Sequence, residues 1–245
     1  MSFSIVTATL NSESTLSDTI ESVANQKDVR VQHIIKDGGS TDKTLDLAHQ
    51  KYGLVQLIEQ EDSGIYDAMN QGFAYATNEY VGFLNSDDYF SCEFALKDVE
   101  EIFRSERTDI VYGDIEIINE KKKVIRDWKT GELKKGRLAG MQIPHPAFFV
   151  RREVLSRLGK PFDPKYKISS DFKQQLQLIN DLNVSASYLQ KTLVTMRSGG
   201  ASSADWGAVV LGWKECMQAY REVTGRSGMR FVASKVIRKV VHLRS

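Results

Sequence analysis

Over its first 106 residues the chain alternates short apolar runs with amphipathic stretches, an order that admits few folds beyond βα units wound around a mostly parallel sheet. Phe3 to Ala8 predicts a strand, and Leu16 to Asn25 a helix with Ile20, Val23 and Ala24 on one face. Val31 to Lys36 predicts a second strand, followed by a helix that Ser40 or Thr41 caps ahead of Leu45, Leu47 and Ala48. Leu54 to Glu59 is a third strand and Ile65 to Ala76 a third helix. Tyr80 to Leu84 is apolar throughout, as expected of a central strand covered on both faces.

Beyond residue 106 the pattern loosens. Strands are expected over Ile110 to Ile118 and Val124 to Trp128, joined by the charged turn Glu120-Lys121-Lys122-Lys123. A Gly- and Lys-rich stretch from Lys129 to Gly140 leads into Pro144-His145-Pro146 and the short apolar run Ala147 to Val150. Helix signals return over Asp171 to Leu182 and from about Ser203 to Val223, with a β-like stretch, Val184 to Met196, between them. No internal repeat or low-complexity linker interrupts the chain. Its 245 residues suffice for a core domain of about 200 residues with an appendage. The simplest division is an α/β domain over residues 1–205 and a helical extension over residues 206–245.

A formal net charge of +1 supplies no general field for nucleic acid, which is not expected as a partner. The charge is unevenly spread. After Glu222 no acidic residue occurs, while Arg226, Arg230, Lys235, Arg238, Lys239 and Arg244 follow. Projected on a helix, Met229, Val232, Val236, Ile237, Val240, Val241 and Leu243 fall on one half, and Lys235, Arg238, Lys239 and His242 on the other. Arg230 and Phe231 break that rule. A cationic amphipathic tail of this kind suits an anionic membrane surface, or packing on the main domain or on a second copy in a homodimer. Cys92 and Cys216 lack zinc-ligand spacing, and the first ten residues do not read as a signal peptide. No apolar run approaches the roughly 18 residues needed to span a bilayer. The expectation is a cytoplasmic protein, peripheral at most on the inner face of the membrane.

In an open α/β sheet, ligands sit beyond the carboxyl ends of the strands. Three polar clusters stand there: Thr7 to Asn11, Asp37-Gly38-Gly39-Ser40-Thr41-Asp42, and Asn85-Ser86-Asp87-Asp88. If the strands are parallel neighbours, all three meet at one edge. Adjacent carboxylates with an amide two residues earlier offer hard oxygen ligands, which suit Mg²⁺ or Mn²⁺ rather than zinc. The same four residues also make a good turn. The second cluster is a tight βα turn matching neither G-x-G-x-x-G nor the P-loop, which removes the main support for a dinucleotide enzyme or an NTPase.

Ser4 to Asn11, Asp37 to Asp42, the run Asp62-Ser63-Gly64-Ile65-Tyr66-Asp67-Ala68-Met69-Asn70-Gln71-Gly72, and Leu84 to Asp88 together resemble the motif series of family-2 glycosyltransferases with the GT-A fold. The ordering matches over about the first 90 residues and more weakly to about residue 205. The resemblance implies a GT-A-type, Rossmann-like α/β catalytic domain over residues 1–205. It implies an inverting transferase of bacterial surface-polysaccharide type, using a UDP- or GDP-type nucleoside-diphosphate sugar and a saccharide or lipid-linked acceptor. On this reading Thr7, Thr9 and Asn11 line the nucleotide pocket and Asp37 faces the base. Asp62 and the Gly64 to Asn70 segment border the ribose and donor sugar, Asn85 and Ser86 lie alongside, and Asp87 and Asp88 hold the metal. Two departures stand out: Gly38 follows Asp37 where many relatives carry a second aspartate, and Asn85 opens the metal motif where aspartate is frequent.

Inverting transfer needs a general base for the acceptor hydroxyl. Ser169-Ser170-Asp171-Phe172 resembles the family's acidic motif, which makes Asp171 the expected base, although Ser-Ser-Asp is also ordinary helix-cap chemistry. His145 falls in a segment resembling the acceptor side, and Arg197 offers a fork of donors to a diphosphate from the Arg197 to Ser202 loop. Two other functions share parts of this pattern. A sugar-nucleotide pyrophosphorylase would carry a basic, Gly-rich loop where Thr9-Leu10-Asn11-Ser12 stands. A non-catalytic partner in a polysaccharide-synthesising complex would have no use for Asp87, Asp88 and Asp171 together.

Overall fold

A computed structural model of the chain describes residues 1–51, 53–138, 141–199, 206–229 and 231–233. Strands β1 (Ser2–Thr9), β2 (Arg30–Asp37), β3 (Gln56–Glu59) and β4 (Tyr80–Phe83) alternate with helices α1 (Leu16–Ala24), α2 (Thr44–Gln50) and α3 (Ile65–Phe73). The short β5 (Tyr89–Phe90) and α4 (Ala95–Glu106) follow, then β6 (Ile110–Ile118), β7 (Val124–Trp128), β8 (Phe148–Arg151) and α5 (Arg152–Ser156). α6 (Ser170–Leu176), β9 (Ala186–Arg197) and α7 (Trp206–Thr224) complete the order.

The strands form one sheet in the order β3-β2-β1-β4-β8-β6-β9-β5, with β7 paired to β6. The four strands β3, β2, β1 and β4 run parallel, as the βα alternation predicts. At β8 the direction reverses, because β8 pairs antiparallel with both β4 and β6. The carboxyl ends of β2, β1 and β4 therefore lie side by side, and β6 and β9, which run parallel to β4 across the single reversed strand β8, bring their carboxyl ends to the same edge.

Alternation along β1 explains the two layers. Val6 and Ala8 face a core shared with Ile34, Tyr66 and Met69 of the α3 side and with Phe172 and Leu176 of α6. Phe3 and Ile5 face the opposite core, where Leu96, Val99 and Phe103 of α4 pack. Gly82 lets β4 and β8 sit close, since a Cβ there would stand 2.7 Å from the Phe149 ring. Cys216 and Ala219 of α7 belong to the first core, so the C-terminal helix is part of the same packed body.

Several elements differ from expectation. The helix expected over Asp171 to Leu182 is α6 followed by a wide π turn, Gln177–Asp181. α3 stops at Phe73 rather than Ala76. Neither Ser40 nor Thr41 caps α2; the Thr44 amide donates to Asp42 Oδ1 at 2.9 Å, while Ser40 serves Asp37. Phe231, a misfit on the projected tail helix, is buried with its ring 4.5 Å from Phe172 and 5.6 Å from Tyr220. The basic amphipathic tail expected from residue 229 onward lies almost wholly outside the described residues, which include neither Arg230 nor residues 234–245. Among the described residues no helix is long and apolar enough to cross a membrane.

Candidate active site

The three polar clusters are cross-linked at the sheet edge. Asn11, in a left-handed conformation (φ 50°), donates its amide to Ser40 Oγ at 2.9 Å and accepts the Thr41 amide on Oδ1 at 2.9 Å. Ser12 then pairs through Oγ with Ser86 Oγ at 2.8 Å, joining the first cluster to the third.

The Asn85-Ser86-Asp87-Asp88 segment is a turn, closed by the Asp88 amide on the Asn85 carbonyl at 3.1 Å. Thr19 of α1 fixes it from below, placing its hydroxyl 3.0 Å from the Ser86 carbonyl and 2.8 Å from that of Asp88. This turn is more than connection. Asp88 is 1% exposed; Oδ2 accepts the Asn85 side-chain amide at 2.9 Å, while Oδ1 is buried with no partner. Burial, then the neighbouring Asp87 carboxylate, raises Asp88 well above the usual carboxylate range. Burial also raises Asp87, against the pull of Arg197. A pair of carboxyls desolvated together, one with an orphaned oxygen, fits a hard divalent cation. Among the described residues no group of three or more Asp, Glu, His or Cys is arranged to hold a metal. Two carboxylates leave the other coordination positions to water and to phosphate oxygens, a mode common for Mg²⁺.

Arg197, the last residue of β9, stands beside this turn. Its Nε donates to the Asp87 carbonyl at 3.1 Å, its guanidinium lies 5.5 Å over the Tyr89 ring, and it ion-pairs with Asp18. The remainder of its expected loop, residues 200–202, lies outside the described residues.

The acceptor-side candidates are assembled by an aromatic cluster. Phe83, at the end of β4, stacks on His145 at 5.6 Å, and Phe162 meets both edge-on, at 4.8 Å from Phe83 and 5.4 Å from His145. His145 is 9% exposed with both ring nitrogens unpartnered. Burial lowers its pKa, and the Asp171 carboxylate opposes that shift. Asp171 sits in the first turn of α6, but no side chain caps that helix at Ser169, so the cap role is not the one it takes. Its Oδ1 accepts the Tyr66 hydroxyl at 3.3 Å. Burial and the Asp171 charge raise the Tyr66 phenol well above its ordinary value. Phe83, two residues before Asn85, thus links the acidic turn to His145, and His145 links it to Asp171.

The nucleotide-side candidates divide. Thr9 keeps its Oγ1 unpartnered near the edge. Thr7 lines no open surface: it is fully buried, on the strand face of Phe3 and Ile5, with Oγ1 3.0 Å from His33 Nε2. Asp37 turns back into its own loop, accepting the Gly39 and Ser40 amides at 2.8 Å and the Ser40 hydroxyl at 2.5 Å, so any base contact would share those oxygens. Asn70 is committed to the backbone of Phe162, donating to its carbonyl at 2.8 Å and accepting its amide at 2.9 Å. Gly64 precedes α3 at φ 132°, a conformation that favours glycine, and its amide donates to Asp62 Oδ1 at 3.0 Å.

Sequence reasoning passed over Lys36. Its side chain is fully buried and its ammonium sits 2.7 Å from Asp62 Oδ2, also donating to the Asp37 carbonyl at 2.8 Å. The Asp62 carboxylate, in turn, occupies the space beside Gly38, where a Cβ would come within 2.6 Å of Oδ2. A lysine at the end of an apolar strand carries little local signal; the nearby Gly38 in place of a second aspartate was the available hint.

Parallel β1, β2 and β4 with cross-linked polar ends, and an acidic turn beyond a central strand, describe a glycosyltransferase of the GT-A fold class. The chain belongs to glycosyl transferase family 2, whose model matches residues 4–159. It is 28% identical over 206 residues to a PGL/p-HBAD biosynthesis glycosyltransferase of Mycobacterium bovis, a match covering 82% of this chain and 78% of the relative. An uncharacterized glycosyltransferase of Mycobacterium tuberculosis is 30% identical over 187 residues, covering 69% of this chain and 65% of its own length. Among solved structures, S. aureus TarS 1-349 in complex with UDP-GlcNAc superposes with a TM-score of 0.71 at 18% identity, covering 100% of this chain and 74% of that one. The mannosyltransferase PcManGT from Pyrobaculum calidifontis, in complex with GDP-Man and Mn²⁺, gives 0.68 at 14% identity, covering 98% and 70%. At these identities the two structures establish the shared fold.

Proposed function

We propose that this glycosyltransferase is an inverting enzyme that moves a sugar from a nucleoside-diphosphate donor to a hydroxyl of a saccharide or lipid-linked acceptor in bacterial surface-polysaccharide assembly. The observation that carries the proposal is the Asp87–Asp88 pair, desolvated at the end of β4 with Asp88 Oδ1 lacking any partner. Asp87 and Asp88 would hold Mg²⁺ or Mn²⁺, which when bound would supply charge neutralisation for the departing diphosphate. The UDP-GlcNAc and GDP-Man complexes of the two structural relatives support a donor of this type.

The chain's own residues do the rest. Asp171 accepts the proton of the acceptor hydroxyl on a carboxylate oxygen, and Tyr66 orients that carboxylate through its hydroxyl. His145, whose pKa burial lowers, stands behind this carboxylate with Phe83 and Phe162 and backs the acceptor side of the site. Arg197 places its guanidinium at the rim of the acidic turn, where a diphosphate would lie. Thr9, Asn11, Asp37, Asp62, Gly64, Asn85 and Ser86 surround the donor, with Thr7 and Asn70 supporting them from beneath. The basic tail would bring the enzyme to the inner face of the membrane; unchanged liposome flotation on removing residues 226–245 would refute that part.

The decisive experiment is release of nucleotide from a panel of nucleoside-diphosphate sugars with Mn²⁺, comparing the parent with Asp88→Ala and Asp171→Asn. The expected result is turnover of at least one donor by the parent and loss in both variants. Absence of both turnover and Mn²⁺-dependent donor binding across the panel would favour a non-catalytic partner.

A further inference from the structure

Glu215 lies on α7, far beyond the residues that the family model matches, and is only 7% exposed. Among the described residues no cation lies within ion-pair distance of it. Its carboxylate instead gathers three consecutive backbone amides from the segment leading into α6: Lys167 on Oε1 at 2.8 Å, and Ile168 and Ser169 on Oε2 at 2.9 and 2.8 Å. A carboxylate accepting three amides is a strong, charge-assisted clamp. Gly212, one turn earlier on α7, permits the approach: a Cβ there would stand 3.3 Å from Ile168, and its carbonyl accepts the Ser169 hydroxyl at 3.2 Å.

The residues on either side of Asp171 are also held in place. Ser170 Oγ accepts the Asp163 amide at 2.7 Å, Phe172 stacks on Phe231, and Lys173 donates to Glu222 of α7 at 2.6 Å. Asp171 directs its side chain away from α7, towards the Tyr66 hydroxyl. The Glu215 charge also contributes to the raised pKa of the Tyr66 phenol, which places Glu215 within electrostatic reach of the same site.

We propose that Glu215 is a positioning residue: by clamping residues 167–169 from α7 it aims the Asp171 carboxylate at the acceptor hydroxyl. This rests on Asp171 being the general base. Misplacing a reacting group by about 1 Å can cost on the order of a hundredfold in rate, and a clamp that loses its charge but keeps its shape should cost less.

The test compares parent, Glu215→Gln, Glu215→Ala and Asp171→Asn with UDP-GlcNAc and GDP-mannose as donors, water as acceptor, and Mn²⁺. For Glu215→Gln, kcat should fall roughly tenfold while KM for the donor stays within about twofold, the split that marks an interaction needed for the chemical step. Hydrogen exchange of peptides spanning residues 166–173 should accelerate, while those from β1 and β4 stay unchanged; this readout needs no turnover and uses the isosteric variant, so it stands even where Glu215→Ala does not fold. Unchanged exchange in residues 166–173 overturns the clamp. An unchanged kcat for Glu215→Gln alongside an inactive Asp171→Asn overturns the positioning role alone. An active Asp171→Asn overturns the assignment of the base on which the inference rests.

Discussion

Replacing Asp88 by Asn should make the metal-free protein more stable and abolish its stabilisation by metal. Asp88 is 1% exposed, accepts the Asn85 side-chain amide at 2.9 Å and leaves Oδ1 without a partner beside the Asp87 carboxylate, a cost that the pull of Arg197 offsets only in part. Desolvating a charged group with incomplete partners costs about 1–3 kcal/mol or more. Asn keeps an oxygen for Asn85 and sheds the charge, so we expect a gain of about 2 kcal/mol, or roughly 4–8 °C in Tm for a chain of this size. The gain should depend on pH with a defined sign. The folded-state pKa of Asp88 lies above its unfolded value near 3.8, so below that value the carboxyl is neutral in both states and carries no penalty. Above it the unfolded chain ionises first, and the native state loses ground as pH rises towards neutrality. Urea unfolding in EDTA at ~pH 3.5 and ~pH 7.5 should show parent and variant converging at the lower pH and diverging at the higher. Mn²⁺ at neutral pH should then stabilise the parent only. A variant no more stable than the parent in EDTA at neutral pH, or equally stabilised by Mn²⁺, would refute the reasoning.

Two further outcomes follow from buried groups away from the acidic turn. Burial depresses His33 to about 3, so the unfolded chain takes up a proton below the ordinary value of 6.5 that the folded chain refuses. Stability tied to neutral His33 is therefore lost as pH falls from 6.5 towards 3, amounting to about 2 kcal/mol by about pH 5; His33→Gln should flatten that limb of the Tm profile, and an unchanged limb would count against it. Asn70→Ala strips both partners from the Phe162 backbone and should cost about 2–3 kcal/mol in chemical denaturation, whereas a loss below ~0.5 kcal/mol would show that the clamp is redundant.

The parallel half of the sheet was legible because its strands are written locally. Apolar runs of four to eight residues bounded by turn formers put β1, β2 and β4 in place, and the ends of β6 and β7 fell where expected. What could not be read locally was direction and partnership. Nothing in Phe148 to Arg151 says that β8 runs against β4, and the two residues of β5 are too few to carry a period. Within the candidate site, Asp87, Asp88 and Asp171 could be singled out from the sequence because their residue types announce chemistry. The supports were not: Asn70 meets Phe162 from 92 residues away, Glu215 meets Ser169 from 46, and Tyr66 meets Asp171 from 105. The surroundings of Thr7 were hidden for a related reason, since a threonine near a strand's carboxyl end reads as edge-facing until the neighbouring strand β2 shows it bonded to His33.

The reversal of the sheet at β8 gives the chain a seam. Arg107, left-handed at φ 52° just after α4, divides it into a first segment holding β1 to β5 and a second holding β6 to β9. Among the described residues, only the β4–β8 and β5–β9 ladders join strands across that line. The first segment carries the acidic turn and the second carries Asp171 with α7, its clamp. Recombination between relatives at such a seam would have to satisfy two short antiparallel registers and also the core that Val6, Ala8 and Tyr66 share with Phe172 and Leu176, so the side chains of the two segments must change together even though few of their strands are paired.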